Sequence, residues 1–229
     1  MNTLPINKII LASFAFALTH WKKIFEISIV PIAVSLPFLL ILPQMFQIME
    51  TVFQGNEITD IVLPEGTMLY LLLFLYGYVS LSINMYRLVI LGPDSVSITT
   101  PIFNISQIAR FVGLTLIVGF ATTVPVMLTG IGFLQLIVYF LIIPITLNFI
   151  NIAVQQPSKY KWNLNFVSQA NLFLLQAIIP ALIGMITTVL FNFIGLPEGF
   201  SWTIKVIVFY WSLVNLALCY QLIQANASE

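Results

Sequence analysis

The chain has 229 residues, of which 60% are apolar and 7% are charged, and its formal net charge at pH 7 is zero. Soluble domains carry about 25% charged residues, so a chain this poor in charge cannot cover a water-facing surface, and an ordinary soluble domain is excluded. Zero net charge provides no electrostatic attraction for nucleic acid, which we do not expect as a partner. A single cysteine and a single histidine exclude an internal disulfide and disfavour a zinc site built from those residues.

The N-terminal segment, residues 6–22, contains an apolar run that is too short to cross a membrane. The run covers residues 9–18, and a spanning helix needs roughly 20 apolar residues. A short apolar run next to basic and aromatic residues is typical of an amphipathic helix that lies at the membrane interface. No convincing small-residue cleavage site follows it, so we interpret the segment as part of the mature protein and not as a cleaved signal peptide.

Six later stretches are apolar over the length that a spanning helix needs. They are residues 24–45, 67–91, 108–129, 131–154, 172–194 and 202–223. Only Gly130 and its neighbours separate the third stretch from the fourth, which predicts a tight helical hairpin. Several prolines fall inside the predicted spans: Pro31, Pro37, Pro125, Pro144 and Pro180. Each removes a backbone hydrogen bond that lipid cannot replace, so we expect kinks, either as ordinary packing features or as gating hinges.

The six spans pair into three hairpins, and an amphipathic segment leads into each. These lead-in segments are residues 6–22, 101–109 and 162–171. The second and third share a Ser-Gln pair, Ser106-Gln107 and Ser168-Gln169, which indicates either an internal repeat or the shared requirements of units that pass from interface to span. The predicted fold is all-α: one integral membrane helical bundle over residues 1–229, with six transmembrane helices as three hairpins with amphipathic interfacial lead-in helices.

The basic residues predict the orientation of the bundle, because cytoplasmic loops are enriched in lysine and arginine. With the N-terminus inside, every lysine and arginine except Lys205 falls on the cytoplasmic side. The loop 47–66 contains acidic residues and no basic one, so it is predicted to lie outside. Both chain termini are then predicted to be cytoplasmic.

Arg87 stands in the stretch INMYRLVILGPDS, residues 83–95, about one turn before the predicted cytoplasmic end of the second span. From there its long side chain can reach the headgroups and bind a lipid phosphate. Alternatively, it forms an ion pair with Asp94, beyond the Gly-Pro turn, or with Glu26 near the same side of the first span. Arg110, at the start of the third span, is a further candidate for a lipid phosphate or an ion pair.

A set of uncharged polar residues lies within the predicted spans. The candidates are Asn84, Gln135, Asn148, Asn151, Gln176, Asn192 and Asn215. Hydrogen bonds between helices, worth roughly 0.6–2 kcal/mol each, explain them, and a polar path for a substrate is the alternative. No ionisable residue lies near the centre of a predicted span, which argues against proton-coupled and voltage-sensing mechanisms.

The sequence lacks the motifs that carry enzyme chemistry. It contains no nucleophile elbow, no phosphate-binding loop, no closely spaced carboxylate pair and no spacing typical of metal ligands. His20 adjoins Trp21 and two lysines, which is typical of an interfacial anchor and not of a catalytic base. We therefore predict no catalytic residue, no cofactor and no metal, and a protein that is not an enzyme.

The stretch 86–92, YRLVILG, followed by Asp94, resembles a signature of polytopic bacterial membrane proteins in which an aromatic-arginine pair ends a span before an apolar run, a glycine and an acid. The stretch 165–180, NFVSQANLFLLQAIIP, resembles the lead-in common to that group. The YciC-type inner-membrane proteins and the membrane domains attached to some glycerophosphodiesterases have similar lead-ins. This chain departs from the pattern at Pro93, where an acid is expected. The resemblance implies a bacterial inner-membrane protein that is not an enzyme by itself.

Two classes of function fit these features. The first is a non-enzymatic scaffold, assembly or lipid-interacting module, whose partners are membrane lipids and either another membrane protein or further copies of this chain. Short loops and uncharged spans favour this class. The alternative is a small-solute or lipid transporter or channel, with a path lined by the asparagines and glutamines of the spans, which the proline-broken helices favour.

Overall fold

The computed structural model describes residues 3–53, 63–97, 104–159, 162 and 164–228. The regular structure of these residues is helical: α1 (Ile6–Phe53), α2 (Thr67–Leu91), α3 (Ile105–Thr129), α4 (Phe133–Thr146), α5 (Asn148–Ala153), α6 (Phe166–Phe173), α7 (Ile179–Ile194) and α8 (Glu198–Ser228). A 3₁₀ turn at Pro93–Ser95 follows α2, and a π-helical turn at Leu174–Ile178 joins α6 to α7. Parts of the predicted outer loop and of the second and third lead-ins lie outside the described residues, at 54–62, 101–103 and 163.

In the part of the chain that the structure describes, six stretches of helix are long and apolar enough to cross a membrane, so the chain is a multi-pass membrane protein. They are Ile6–Ile48, Thr67–Leu91, Ile105–Thr129, Phe133–Ala153, Phe166–Ile194 and Gly199–Ala225. Each overlaps one predicted span. Consecutive spans pack as pairs, α1 with α2, α3 with α4, and α7 with α8. The prediction of an all-α bundle of six transmembrane helices as three hairpins is confirmed.

The lead-in segments are the first turns of the spanning helices and not separate elements. The first runs through α1 and is set off from the span by a break in helical geometry at His20, with φ −108° and ψ 16°. The second is the start of α3, which Asn104 caps by accepting a hydrogen bond from the Gln107 amide at 3.2 Å. The third is α6, which Asn165 caps and which continues into α7 through the π-helical turn. The side-chain caps of α3 and α6 each satisfy a free backbone amide of the first turn, which stabilises the start of these two helices.

The prolines affect their helices unequally. Three predicted kink sites lie inside uninterrupted helix: Pro31, Pro37 and Pro125. After Pro144 the helix breaks at Leu147, which separates α4 from α5. Pro180 directly follows the π-helical turn. Of the five predicted sites, only Pro144 and Pro180 lie beside an interruption of the helix. At both of these sites the helix also changes its packing partner.

The centre of the bundle is formed by α2 and α8. α2 packs against α1, α5 and α8, and α8 packs in addition against α1 and α7. Their buried side chains concentrate in the second half of each helix, from Val79 to Val89 in α2 and from Trp211 to Tyr220 in α8. These halves run toward the end of the bundle where α2, α5 and α8 end and where α3 and α6 begin. We call it the core end.

The opposite end, which we call the hairpin end, holds the turns between paired helices. Gly66, Gly130 and Gly195 lie there with φ of 77°, 69° and 72°, in the left-handed region that glycine adopts without strain. Side chains beside these turns are exposed, with Phe193 89% and Leu128 81% accessible. α7 buries none of its side chains. Exposed apolar surface of this extent in spanning helices is suited to contact with lipid.

Candidate functional site

The predicted polar residues Asn148 and Asn151 lie together at the core end, in α5. The Asn148 side chain pairs with the backbone of Lys159: its Nδ2 donates to the Lys159 carbonyl at 2.9 Å, and its Oδ1 accepts from the Lys159 amide at 2.8 Å. Asn151 Nδ2 donates to the same Asn148 oxygen at 3.0 Å. The Asn148 amide thus acts as an additional peptide group that closes the loop after α5.

Tyr220 connects this network to α8. Its hydroxyl lies 2.7 Å from Asn151 Oδ1 and 2.8 Å from Gln156 Oε1, and it accepts a hydrogen bond from Gln224 Nε2 at 3.0 Å. Since a hydroxyl has one proton, it donates to one of the two oxygens at a time. Asn151 is fully buried. Asn148 and Asn151 therefore tie α5 to α8 and to the following loop, and neither of them lines the two cavities between the helices.

Gln169 of α6 satisfies a carbonyl that a proline leaves free. Pro144 has no N–H, so the carbonyl of Phe140, four residues earlier, lacks its normal helical donor. Gln169 Nε2 donates to this carbonyl at 2.7 Å. A side chain from a neighbouring helix thus replaces the bond that lipid cannot supply, and it joins α6 to α4.

Gln107 of α3 likewise binds backbone carbonyls of a neighbouring helix, at the end of α5. Its Nε2 donates to the carbonyls of Ile152 and Ala153, at 2.8 and 3.0 Å, in the last turn of that helix, where carbonyls have no amide within the helix to accept from. The Ile152 carbonyl also accepts from the Gln155 amide of the following turn, at 3.2 Å. The capping asparagine of α3 binds the amide of Gln107, whereas that of α6 binds the amide of Ser168, one position before Gln169. Relative to the capping asparagine of each helix, the two Ser-Gln pairs are therefore shifted by one residue.

Asn84 and Asn215 lie in the interior of the bundle, 4% and 0% exposed. Neither polar atom of the Asn215 side chain has a hydrogen-bond partner among the described residues. An unpaired buried amide costs about 1–3 kcal/mol, so Asn215 is a polar group held in place by the packing around it. It stands between Leu213 and Leu216, which line a cavity described below, but it does not line that cavity itself.

Arg87 lies about one turn before the end of α2, partly buried, and it forms neither of the predicted ion pairs. Glu26 pairs instead with Lys23, whose Nζ lies 3.0 Å from Glu26 Oε1. Within the described residues no ion pair joins Arg87 to Asp94, although the turn folds back so that Ser95 Oγ lies 3.2 Å from the Arg87 carbonyl oxygen. The Arg87 Nε is buried there without a hydrogen-bond partner. The guanidinium thus has no acidic partner in the described part of the chain.

Arg110 and Lys159 lie at the core end as well. Arg110 is exposed, with its Nη2 3.4 Å from Ser158 Oγ. Lys159 Nζ lies 5.1 Å from the centre of the Trp162 ring, in a cation–π contact. By contrast, Lys205 belongs to the first half of α8, toward the hairpin end. The cations of α2, of α3 and of the loop after α5 therefore gather at one end of the bundle.

A cavity of about 340 Å³ lies between α2, α3, α4, α5, the π-helical turn and α8. Its polar lining consists of phenols, aliphatic hydroxyls and one amide: Tyr78, Tyr86, Tyr139, Thr115, Thr146, Gln176 and Ser212. Its apolar lining consists of Val118, Gly119, Phe149, Phe209, Leu213 and Leu216. No charged side chain is among these residues. We call it the tyrosine cavity.

A second cavity, of about 360 Å³, lies between α3 and α4 on the side toward the hairpin end. Val118 and Tyr139 line both cavities, so the two adjoin. Thr122, Gln135 and Leu136 complete the lining of the second. Of the predicted polar-path residues, Gln176 lines the tyrosine cavity and Gln135 lines the second cavity.

The tyrosines of the first cavity are the residues that the sequence analysis missed. Tyr78 and Tyr86 are about two helical turns apart and share a face of α2, and Tyr139 lies in α4. Tyrosine in a span usually marks the membrane interface. The signal that could have identified these residues is the presence of two tyrosines on one face of the second span, away from its ends.

Within the described residues no group of three histidine, cysteine, aspartate or glutamate side chains is arranged to hold a metal ion. No protein-family model, curated protein or solved structure matches the chain. The resemblance to the YciC-type inner-membrane proteins therefore stays a prediction from two short stretches of sequence.

Proposed function

We propose that the chain is a non-enzymatic, lipid-interacting module of a bacterial inner membrane, with its core end at the cytoplasmic face. The observation that carries this proposal is the environment of Arg87. Its side chain is partly buried near the end of α2, has no acidic partner among the described residues, and has a buried Nε without a hydrogen bond. A cation in such a position at the end of a spanning helix is suited to a phosphate oxygen of a lipid headgroup.

The surroundings of Arg87 support the same proposal. Arg110 and Lys159 lie at the same end, and each basic residue near an anionic membrane surface adds roughly 1 kcal/mol of attraction. The outward faces of α3 and α7 are apolar and exposed, which suits them to acyl chains. Cations suited to headgroups thus lie at one end of the bundle, and apolar surface suited to acyl chains lies along its spans.

The distribution of basic residues supports a cytoplasmic core end, because cytoplasmic loops are enriched in lysine and arginine. Alkaline phosphatase is active only outside the cytoplasm, so fusions to this enzyme test the orientation. We expect activity for a fusion after Glu57, in the connection between α1 and α2, and no activity for a fusion after Ser228. The reverse pattern would invert the proposed orientation.

Native mass spectrometry of the full-length chain, purified in a mild detergent, tests the lipid interaction. We expect the unmodified chain to retain anionic phospholipid and the Arg87→Gln variant to retain about tenfold less, because a hydrogen bond to a charged group is worth roughly 1.5–3 kcal/mol. Lys205→Gln, which removes one positive charge from the first half of α8, is the matched control and should retain as much as the unmodified chain. Equal retention by all three proteins would contradict the proposal, and a co-purified protein chain would point to a scaffold.

The two adjoining cavities favour a transporter as the second candidate. They extend toward the hairpin end, whereas Leu147 and Ile150 at the core end are fully buried. Cysteine introduced at Gln135 or at Ile150, with the buried Cys219 replaced by alanine, should distinguish the two functions in a reaction with a water-soluble thiol reagent. Reaction at both positions would support a path through the membrane. Reaction at position 135 alone would support a site open to one side.

A further inference from the structure

We propose that the tyrosine cavity binds a neutral glyceride, a lipid whose uncharged head carries ester carbonyls and a free hydroxyl. This inference rests on the proposed lipid-interacting function and names a lipid class for a site that is distinct from the surroundings of Arg87. The site lies between α2, α3, α4, α5 and α8 and adjoins the second cavity between α3 and α4.

The residues that line the cavity indicate whether its ligand is charged or neutral. Phenols, aliphatic hydroxyls and an amide line it, and no lysine, arginine, aspartate or glutamate is among the lining residues. Three of the lining residues are tyrosines, Tyr78, Tyr86 and Tyr139. A charged headgroup would lose its hydration in this cavity without meeting a counter-charge, which is strongly unfavourable. The head of the ligand is therefore uncharged but rich in oxygen.

The hydrogen-bonding groups match a head that both accepts and donates. The hydroxyls of Tyr86 and Tyr139 make no hydrogen bond with the described residues, so they can donate to a carbonyl. Thr115 and Thr146 donate to carbonyls of their own helices, at 3.0 and 2.6 Å, so toward a ligand they can only accept. Ester carbonyls and one free hydroxyl, as in a diacylglycerol, satisfy both sets.

Gln176 adds a fixed acceptor to the same cavity. It belongs to the π-helical turn, and its Nε2 donates to the carbonyl of Ser212 at 3.1 Å. This bond joins the turn to α8 and leaves the Gln176 Oε1 as an acceptor. π-helical turns are frequent at functional sites, because the extra residue of the turn re-aims a side chain. Here the turn places an amide among the tyrosines.

The second cavity provides space for an acyl chain. It meets the tyrosine cavity at Val118 and Tyr139, and it lies between α3 and α4, whose outer faces are exposed: Leu136 is 41% and Leu116 52% accessible. The two cavities, of about 340 and 360 Å³, each fall in the size range of small-ligand pockets. A head among the tyrosines can thus extend its chain between α3 and α4 toward the surrounding lipid.

Dioctanoylglycerol added to the purified full-length chain tests the inference, with the adduct measured by native mass spectrometry. The double variant Tyr86→Phe/Tyr139→Phe removes two hydroxyls and keeps both rings. We expect it to bind about tenfold more weakly, since each lost hydrogen bond changes an affinity by roughly three- to tenfold. Tyr210→Phe removes the same group elsewhere, where the hydroxyl donates to Ser28 Oγ at 2.7 Å, and should bind like the unmodified chain.

A second variant tests the shape of the site independently of its hydroxyls. Val118→Phe adds a ring where the two cavities meet, and we expect it to abolish the adduct. Leu116→Phe makes the same kind of change on an exposed position of α3 and should not affect it. Thermal unfolding of each variant in detergent identifies a variant that loses the adduct because it does not fold.

Three results would overturn the glyceride site: no adduct with the unmodified chain, equal adducts in the double tyrosine variant and the unmodified chain, or displacement of dioctanoylglycerol by equimolar dioctanoyl phosphatidylglycerol. The proposed function fails separately. If no phospholipid depends on Arg87 but the glyceride adduct still depends on the tyrosines, the glyceride site stands without the phospholipid interaction. If phospholipid retention depends on Arg87 and the tyrosine variants change nothing, only the glyceride site is overturned.

Discussion

The core end and the hairpin end of this bundle satisfy the backbone in lipid in different ways. At the core end the helices are interrupted, by the break at Leu147 and the π-helical turn, and side-chain amides bind backbone carbonyls: Gln169 that of Phe140, and Gln107 those of the last turn of α5. At the hairpin end the helices stay regular up to turns that glycines close, and most side chains face outward. The same change from exposed to buried side chains occurs within α8: Ile207 is 54% exposed, and Trp211, one turn later, is 8% exposed.

This difference indicates that asparagine and glutamine side chains within the spans serve mainly as hydrogen-bond partners of the backbone. Three of the amides with partners lie where backbone geometry is irregular: Asn148 beside the loop after α5, Gln107 at the last turn of α5, and Gln169 opposite Pro144. Irregular backbone at membrane depth needs such partners, because lipid offers none. Most of these amides therefore hold the core end together, and the ligand-sized space is lined by tyrosines instead.

The largest expected effect concerns close helix packing. A Cβ at Gly77 of α2 would overlap Ser35 Oγ and lie 2.6 Å from the Pro31 carbonyl oxygen, whereas a Cβ at Gly184 of α7 would meet nothing within 4 Å. We expect Gly77→Ala to lower the free energy of unfolding by about 2–3 kcal/mol, because α1 and α2 must separate. Gly184→Ala should leave it unchanged or raise it slightly. Unfolding by SDS in mixed micelles measures both, and equal effects would remove the contrast between the packed and the open part of the bundle.

A smaller effect is expected for the amide network. Asn151→Ala removes two hydrogen bonds and leaves Asn148 and Tyr220 with fewer partners, so we expect a loss of about 2 kcal/mol in the free energy of unfolding. Asn192→Ala, at an exposed position near the end of α7, is the control and should change it by less than about 0.5 kcal/mol. The same micelle titration applies. A neutral Asn151→Ala would mean that the core end does not depend on this network.

The smallest effect tests whether Gln169 compensates for Pro144. Gln169→Ala should cost about 1 kcal/mol in the free energy of unfolding, because the Phe140 carbonyl loses its donor. In a Pro144→Ala background, residue 144 has an N–H for this carbonyl, and the cost of Gln169→Ala should fall close to zero. The coupling in this double-mutant cycle is then about 1 kcal/mol. Strict additivity of the two changes would show that the two residues act independently.

Contacts were harder to predict than spans. Glu26 was a predicted partner of Arg87, but it lies three residues from Lys23 on the same helix and pairs with that nearer cation. The break at His20 falls close to the predicted boundary between the first lead-in and the first span, although the sequence has neither proline nor glycine there. The two Ser-Gln pairs look equivalent in sequence, yet a one-residue difference in capping gives their glutamines different carbonyl partners.

The sequence by itself determined that this is a multi-pass membrane protein, and it located the six helices of the described residues that are long and apolar enough to span and their pairing as three hairpins. The physical reason is local: roughly 20 apolar residues in a row can only be buried in lipid, and short connections bring consecutive spans together. Only the tertiary structure decided that Arg87 has no acidic partner among the described residues, that Gly77 lies against α1, and that tyrosines from α2 and α4 line one cavity. These facts depend on distances between helices that are far apart in the chain, and hydrophobic length contains no information about such distances.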